Sequence, residues 1–271
     1  MEWKNIYRGL IMGASDVIPG VSGGTIAVLL GIYDRLIAGI NGILSRRWKQ
    51  QLGFLIPLAI GMAIAVLALS RVIEWLFEHY PQPTQFFFMG LILGILPYLF
   101  RQADARTAFK PIHFVLLLAG GLVCGSLAFL NPGEGMAFST IGVQQYVLLF
   151  LAGIVASAAM ILPGISGSFM LLVMGVYQTV ISAISDLKLD IIAVVGFGIV
   201  IGILFMSKLI SYFMDHYRTA TFAIVIGLVI GSLFVVYPGF PGSTDLILAS
   251  VITFAIGLLT AYILGKVEYK D

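Results

Sequence analysis

Two short stretches carry the residue types from which chemistry could be built. They are Pro19-Gly20-Val21-Ser22-Gly23-Gly24-Thr25 and Pro163-Gly164-Ile165-Ser166-Gly167-Ser168. Each places a proline, glycines and hydroxyls inside long apolar surroundings. Proline opens a helix well, and glycine lets backbone come close to a ligand. A helix resuming near Ser22 would gather free N–H groups and hydroxyls at its positive end, an arrangement suited to a phosphate or carboxylate. Ser22, Gly23, Gly24 and Thr25 are therefore candidate ligands for an anionic headgroup. Ser166, Gly167 and Ser168 are their candidates from the other side, with Pro19, Gly20, Pro163 and Gly164 setting the turns. The bland alternative is that these small residues serve tight helix packing and cap their own turns.

Other ionisable groups stand near these turns. Asp16 precedes the first turn where the second has Met160. A carboxylate at that depth either couples a proton or cation to transport or caps the turn's N–H groups. Arg71 and Lys208 occupy matching positions near span ends, where each would meet a phosphate entering or leaving, or snorkel to the interface. Glu74 is placed to pair with Arg71, and Asp34 to pair locally with Arg35. His79 and His216 fall at span ends as interfacial anchors.

Gly20-Val21-Ser22-Gly23 also matches the Gly-x-Ser-Gly stretch of intramembrane serine proteases. A serine nucleophile needs a base within reach, and the three histidines His79, His113 and His216 all lie at predicted span ends. The chain moreover keeps two equivalent serines, so no catalytic residue is assigned. There is no metal-ligand spacing, P-loop or basic-aromatic nucleic-acid surface. Cys124 is the single cysteine, read as a small buried residue, and it excludes a disulfide framework.

The elements that must position these residues are membrane spans. Sixty percent of the 271 residues are apolar and 10% are charged. The apolar residues come in blocks of about twenty, enough to cross a ~30 Å hydrocarbon layer. No polar stretch is long enough for a soluble domain, and no cleavable signal peptide is read. The chain is expected to be a single all-α membrane domain over 1–271.

It also repeats. The two Pro-Gly-x-Ser-Gly turns are 144 residues apart, as are Gly9 and Gly153, Gly31 and Gly175, and Tyr33 and Tyr177. Further on the offset is 137, matching Arg71 with Lys208, His79 with His216, Gly90 with Gly227 and Gly120 with Gly257. The halves run from about 5 to 130 and from about 144 to 266. Each holds a broken segment and three apolar runs, 52–77, 84–100 and 112–130 in the first and 189–214, 220–236 and 245–264 in the second. Fewer than a full span of apolar residues precede Pro19, so re-entrant hairpins are expected, with two full spans as the alternative.

Basic residues cluster at Arg46-Arg47-Trp48-Lys49, at Arg101, Arg106 and Lys110, at Arg218 and in the tail, whereas the alternate loops have none except Lys188, which stands between Asp186 and Asp190. Basic loops favour the cytoplasm, which puts both termini inside and inverts one half relative to the other. Inverted repeats with discontinuous helices characterise secondary transporters. The residues alone thus point to a transporter or channel for an anion.

The stretch Met12-Gly13-Ala14-Ser15-Asp16-Val17-Ile18-Pro19-Gly20-Val21-Ser22-Gly23-Gly24-Thr25 closely resembles the first signature of the bacterial and archaeal PopT family. Leu162-Pro163-Gly164-Ile165-Ser166-Gly167-Ser168, followed by Gly175-Val176-Tyr177, is similar to its second signature. The resemblance covers essentially the whole chain. It implies a polyprenyl-phosphate transporter of the cell membrane, returning undecaprenyl phosphate from the outer to the cytoplasmic leaflet for cell-envelope synthesis. It brings no cofactor and no set of catalytic residues.

Overall fold

The computed structural model describes residues 2–16, 22–43, 45, 46, 48–130, 138, 141–240 and 242–268, without the side chains of 69–71, 73, 74, 185, 267 and 268. Pro19, Gly20 and the Arg71–Glu74 pairing therefore lie outside what it describes. The described elements are all helical. They run α1 (Asn5–Asp16), α2 (Gly23–Leu29), α3 (Tyr33–Gly42), α4 (Trp48–His79), α5 (Pro81–Gln102), α6 (Ala105–Ala108) and α7 (Pro111–Ser126). After these come α8 (Val143–Ile161), α9 (Gly167–Val173), α10 (Tyr177–Ser185), α11 (Leu189–His216), α12 (Arg218–Val236) and α13 (Thr244–Glu268).

Seven of these helices are long and apolar enough to cross a bilayer: α4, α5, α7, α8, α11, α12 and α13. Six cover the expected apolar runs. The seventh, α8, is the leg leading into the second broken segment and has 19 residues, where its counterpart α1 has 12. Leu118, Leu122, Phe205, Leu248 and Leu259 lie exposed on α7, α11 and α13, a distribution that only hydrocarbon solvent tolerates over several helices. The chain is a multi-pass membrane protein.

Both broken segments bend for the same local reason. Gly31 follows α2 with φ +63° and Gly175 follows α9 with φ +71°, a left-handed conformation open to glycine. The Ile32 N–H then bonds the Ala27 carbonyl at 2.9 Å and the Gly31 N–H bonds that of Val28 at 3.0 Å. Val176 to Leu171, 3.0 Å, and Gly175 to Leu172, 2.9 Å, repeat the pattern. This pair of reversed bonds closes a helix end and redirects the chain. The α2–α3 pair is bent by 119° and the α9–α10 pair by 117°.

The long helices pack as pairs through glycines. A side chain at Gly9 would strike the Leu58 carbonyl on α4, and one at Gly153 the Val195 carbonyl on α11. Gly90 faces Phe254 and Gly257 faces Phe87 across the α5–α13 contact, while Gly227 faces Leu117 and Gly120 faces Ile224 across α7–α12. Close backbone approach through small residues is how apolar helices associate in lipid, where burial of hydrocarbon brings no gain. Gly227→Val is expected to force α12 from α7 and cost about 1–3 kcal/mol, the range for overpacking. Thermal unfolding in detergent measures this. Gly196→Ala, which points into open space, serves as the neutral comparison.

The two bent pairs do not sit alike. All seven residues of α2 are buried, and Val28 and Leu29 lie in the main core with Ile92, Ile95, Ile226 and Val229. No residue of α9 is fully buried. Its neighbour α10 packs in a second, smaller cluster with α8 and α11.

Candidate functional site

A helix ends with carbonyls that have no partner and begins with N–H groups that have none. Inside a membrane both ends must be satisfied by protein or enclosed water. Here one end is set against the other. The end of α8 meets the beginning of α2, with the negative end of one peptide dipole beside the positive end of the other.

The start of α2 is closed by Ser22 just before it and by Asp16 at the end of α1. The Gly23 N–H donates to Asp16 Oδ1 at 2.7 Å, and the Gly24 N–H donates to Ser22 Oγ at 3.1 Å. The Thr25 N–H reaches the Ser22 carbonyl at 2.9 Å. Of the two roles open to Asp16, turn capping is thus visible in the geometry. Its second oxygen, Oδ2, is buried and has no hydrogen-bond partner among the described residues.

The hydroxyls of the first segment are directed at the second. The Ser22 hydroxyl lies 3.2 Å from the Met160 carbonyl and 3.3 Å from that of Leu162. Tyr33 donates to Ile161 at 3.2 Å. The Gly164 N–H donates to Thr25 Oγ1 at 2.8 Å, and the Cys124 thiol donates to the Gly164 carbonyl at 3.3 Å. Gly24 lies so close that a Cβ there would be 2.9 Å from the Ile161 carbonyl oxygen. Ser22 is 1% exposed and Thr25 3%. The structure therefore joins Asp16, Ser22, Gly23, Gly24, Thr25 and Gly164 in one polar seam, with Pro163 buried beside it.

The other candidates stand apart from it. Ser166 is buried, but its hydroxyl bonds that of Ser168 at 2.8 Å and leaves the start of α9 uncapped by its side chain. Among the described residues no side chain accepts from the Gly167 or Ser168 N–H. The two helix starts, expected to offer the same arrangement, differ: that of α2 is capped by a side chain and that of α9 is not. Lys208 is exposed on α11 and makes none of the seam's bonds. Arg71 belongs to α4.

Several contributors had no assigned role in the sequence. Tyr33 closes the Ile161 carbonyl at the end of α8, and Cys124 closes that of Gly164 in the turn beyond it. Asn41 and the fully buried Ser207 bond reciprocally, Nδ2 to the Ser207 carbonyl at 3.0 Å and the Ser207 hydroxyl to Asn41 Oδ1 at 2.9 Å. Asp34 does not pair with Arg35, because neighbours along a helix point to different faces. It pairs across the fold with Arg218 at 3.4 Å, while Arg35 reaches Gln51 and Glu2. The histidines do fall at helix ends. His79 stacks on Trp75 and His216 on Tyr212, at ring separations of 5.0 and 4.4 Å.

No group in the seam is arranged for bond breaking. The Ser22 hydroxyl faces carbonyls, and His79, His113 and His216 make their hydrogen bonds with Trp75, Lys110 and Tyr212 instead. Among the described residues no cluster of His, Cys, Asp and Glu could hold a metal.

Bent helices meeting in a polar seam within apolar spans define a membrane protein of the transporter class. Residues 12–250 match the undecaprenyl phosphate translocase-like (VCA0040-like) family, and the chain belongs to that family. It is 45% identical to a Staphylococcus aureus protein named polyprenyl-phosphate transporter, over 100% of this chain and 98% of that one. A Vibrio cholerae protein of the same name is 37% identical over 88% of this chain and 79% of its own length. No solved structure matches. The resemblance seen in the two signatures holds, and the chain stands with transporters rather than enzymes.

Proposed function

We propose that the chain carries a polyprenyl phosphate, with undecaprenyl phosphate as the named case, from the outer to the cytoplasmic leaflet of the cell membrane. The observation that carries this reading is the seam: hydroxyls and peptide groups from both turns meet within apolar spans. A phosphate needs such a polar path, whereas an isoprenoid tail can stay in lipid. The relatives' names supply the substrate class.

In this reading the halves 5–130 and 144–266 are inverted, each broken segment is re-entrant, and both termini are cytoplasmic. Support comes from the helix contacts that recur 137 residues apart and from the basic loops. The state described has the seam closed. Parting the turns frees the Ser22 and Thr25 hydroxyls and the Gly164 N–H, and a phosphate headgroup replaces the bonds they lose. Ser166, Gly167 and Ser168 receive it on the more open side, with Arg71 and Lys208 along its approach. Asp16 holds the Gly23 N–H in the closed state and is the group available to couple a proton or cation.

Translocation of a polyprenyl phosphate by the purified chain in proteoliposomes tests this. Ser22→Ala and Ser166→Ala are each expected to slow it by about tenfold, the effect of losing one hydrogen bond to a charged group. Wild-type rates in both variants, or uptake of a water-soluble anion without lipid translocation, would overturn the reading. Asp16→Asn keeps an oxygen for Gly23 and removes the ionisable group. Its transport is expected to lose the pH dependence of the parent; an unchanged profile would leave Asp16 as a cap alone.

A further inference from the structure

The turn between α5 and α7 bears a concave surface that the seam does not use. Two adjoining grooves, of about 650 and 490 Å³, share Arg101. The first adds Arg106, Asp104 and Phe114, and the second adds Tyr262 and Lys266. Three cations against one carboxylate leave a net charge of 3 − 1 = +2. Among the described residues none of Arg101, Arg106 and Lys266 forms an ion pair, and Arg101 and Arg106 are exposed. The corresponding stretch 137 residues on, 238–247, has no Lys or Arg, so this charge is peculiar to one face.

We propose that these grooves bind the phosphate headgroup of an anionic lipid. Arginine presents a planar fork that matches phosphate oxygens, and basic pockets between helix ends are where such headgroups lodge. The volume suits a headgroup rather than a bare ion. The walls favour a lipid over a soluble anion. Phe114 is 55% exposed and Tyr262 56%, at the ends of helices whose outer faces are apolar, so a hydrocarbon chain continues from the groove along α7 and α13. The site is separate from the seam, and its existence does not depend on the transport reading.

Native mass spectrometry of the full-length chain in detergent, with phosphatidylglycerol and phosphatidylcholine as probes, tests it. One phosphatidylglycerol per chain is expected to be retained in preference to phosphatidylcholine. Arg101→Gln with Arg106→Gln is expected to lower its occupancy about thirtyfold, from the usual effect of two cations near an anionic headgroup. Arg101→Lys with Arg106→Lys, which keeps the charge but loses the fork, is expected to bind less than the parent and more than the glutamine pair. Lys49→Gln, a charge lost elsewhere, leaves it intact. Should the double glutamine variant misfold, Arg106→Gln on the short exposed α6 gives the same direction. Unchanged binding in these glutamine variants, or equal loss in Lys49→Gln, overturns the proposal. Displacement by added polyprenyl phosphate assigns the site to the carrier's headgroup, and retention against it assigns the site to bulk phospholipid. Displacement by inorganic phosphate at equal concentration overturns the lipid assignment.

Discussion

Replacing Gly164 by alanine is expected to abolish transport and to remove a large part of the chain's stability. Gly164 has φ +93°, where an L side chain costs about 1–2 kcal/mol. A Cβ built there would lie 2.6 Å from the Leu228 carbonyl oxygen and 2.8 Å from its carbon. Those atoms belong to the backbone of α12, so they cannot rotate away as a flexible side chain would. Displacing the turn to relieve that clash adds about 1–3 kcal/mol. It also moves both groups of Gly164 that the seam uses, the N–H on Thr25 and the carbonyl on Cys124. The total is about 2–5 kcal/mol, read as the thermal midpoint of the purified chain. Gly175→Ala separates the causes. It has φ +71° with nothing within 4 Å of the added atom, so it bears the conformational cost alone. Equal losses in the two variants would refute the steric argument.

The contrast between these glycines shows what a sequence can and cannot disclose about such a site. The spacing of Pro, Gly and Ser marks where the helix breaks, because those preferences act within a few residues. Ser22 as the residue before a resumed helix follows from the same local chemistry. The partners of Ser22 are another matter. They lie 138 and 140 residues away, and which carbonyl a hydroxyl meets is decided by docking of whole helices. The shared Pro-Gly-x-Ser-Gly pattern therefore predicts equivalence, although the helix that follows the first, α2, is sealed in the core and the helix that follows the second, α9, is not. Their flanks differ: α8 has 19 residues and ends in carbonyls that Ser22 and Tyr33 satisfy, whereas α1 has 12 and ends on Asp16. Cys124 and Tyr33 carried no signal of their own. A thiol or a phenol in an apolar run reads as packing until a helix end is brought against it.

Thr25→Val is the sharpest probe of the seam itself. Valine has nearly the shape of threonine, so the buried space around α2 stays filled, but the oxygen that accepts from the Gly164 N–H is gone. That N–H is then left buried without an acceptor, at a cost of about 1–3 kcal/mol. Thr25→Ser keeps the acceptor and loses one methyl, costing about 1 kcal/mol. Stability is thus expected to fall in the order parent, serine, valine, which a loss of packing alone would reverse. Transport is expected to separate the variants further. If the phosphate takes over the bonds of the closed seam, Thr25 must offer its hydroxyl in both the empty and the loaded state, and valine can do neither. A fall in translocation of about tenfold or more in Thr25→Val, with Thr25→Ser near the parent, is the expected result. Combining Thr25→Val with Ser22→Ala then asks whether the two hydroxyls serve one headgroup. Residues acting on a shared partner give non-additive losses, so the double variant is expected to fall short of the product of the two single effects. Strict additivity would mean that Ser22 and Thr25 meet the substrate separately or not at all, and the closed seam would then be structural.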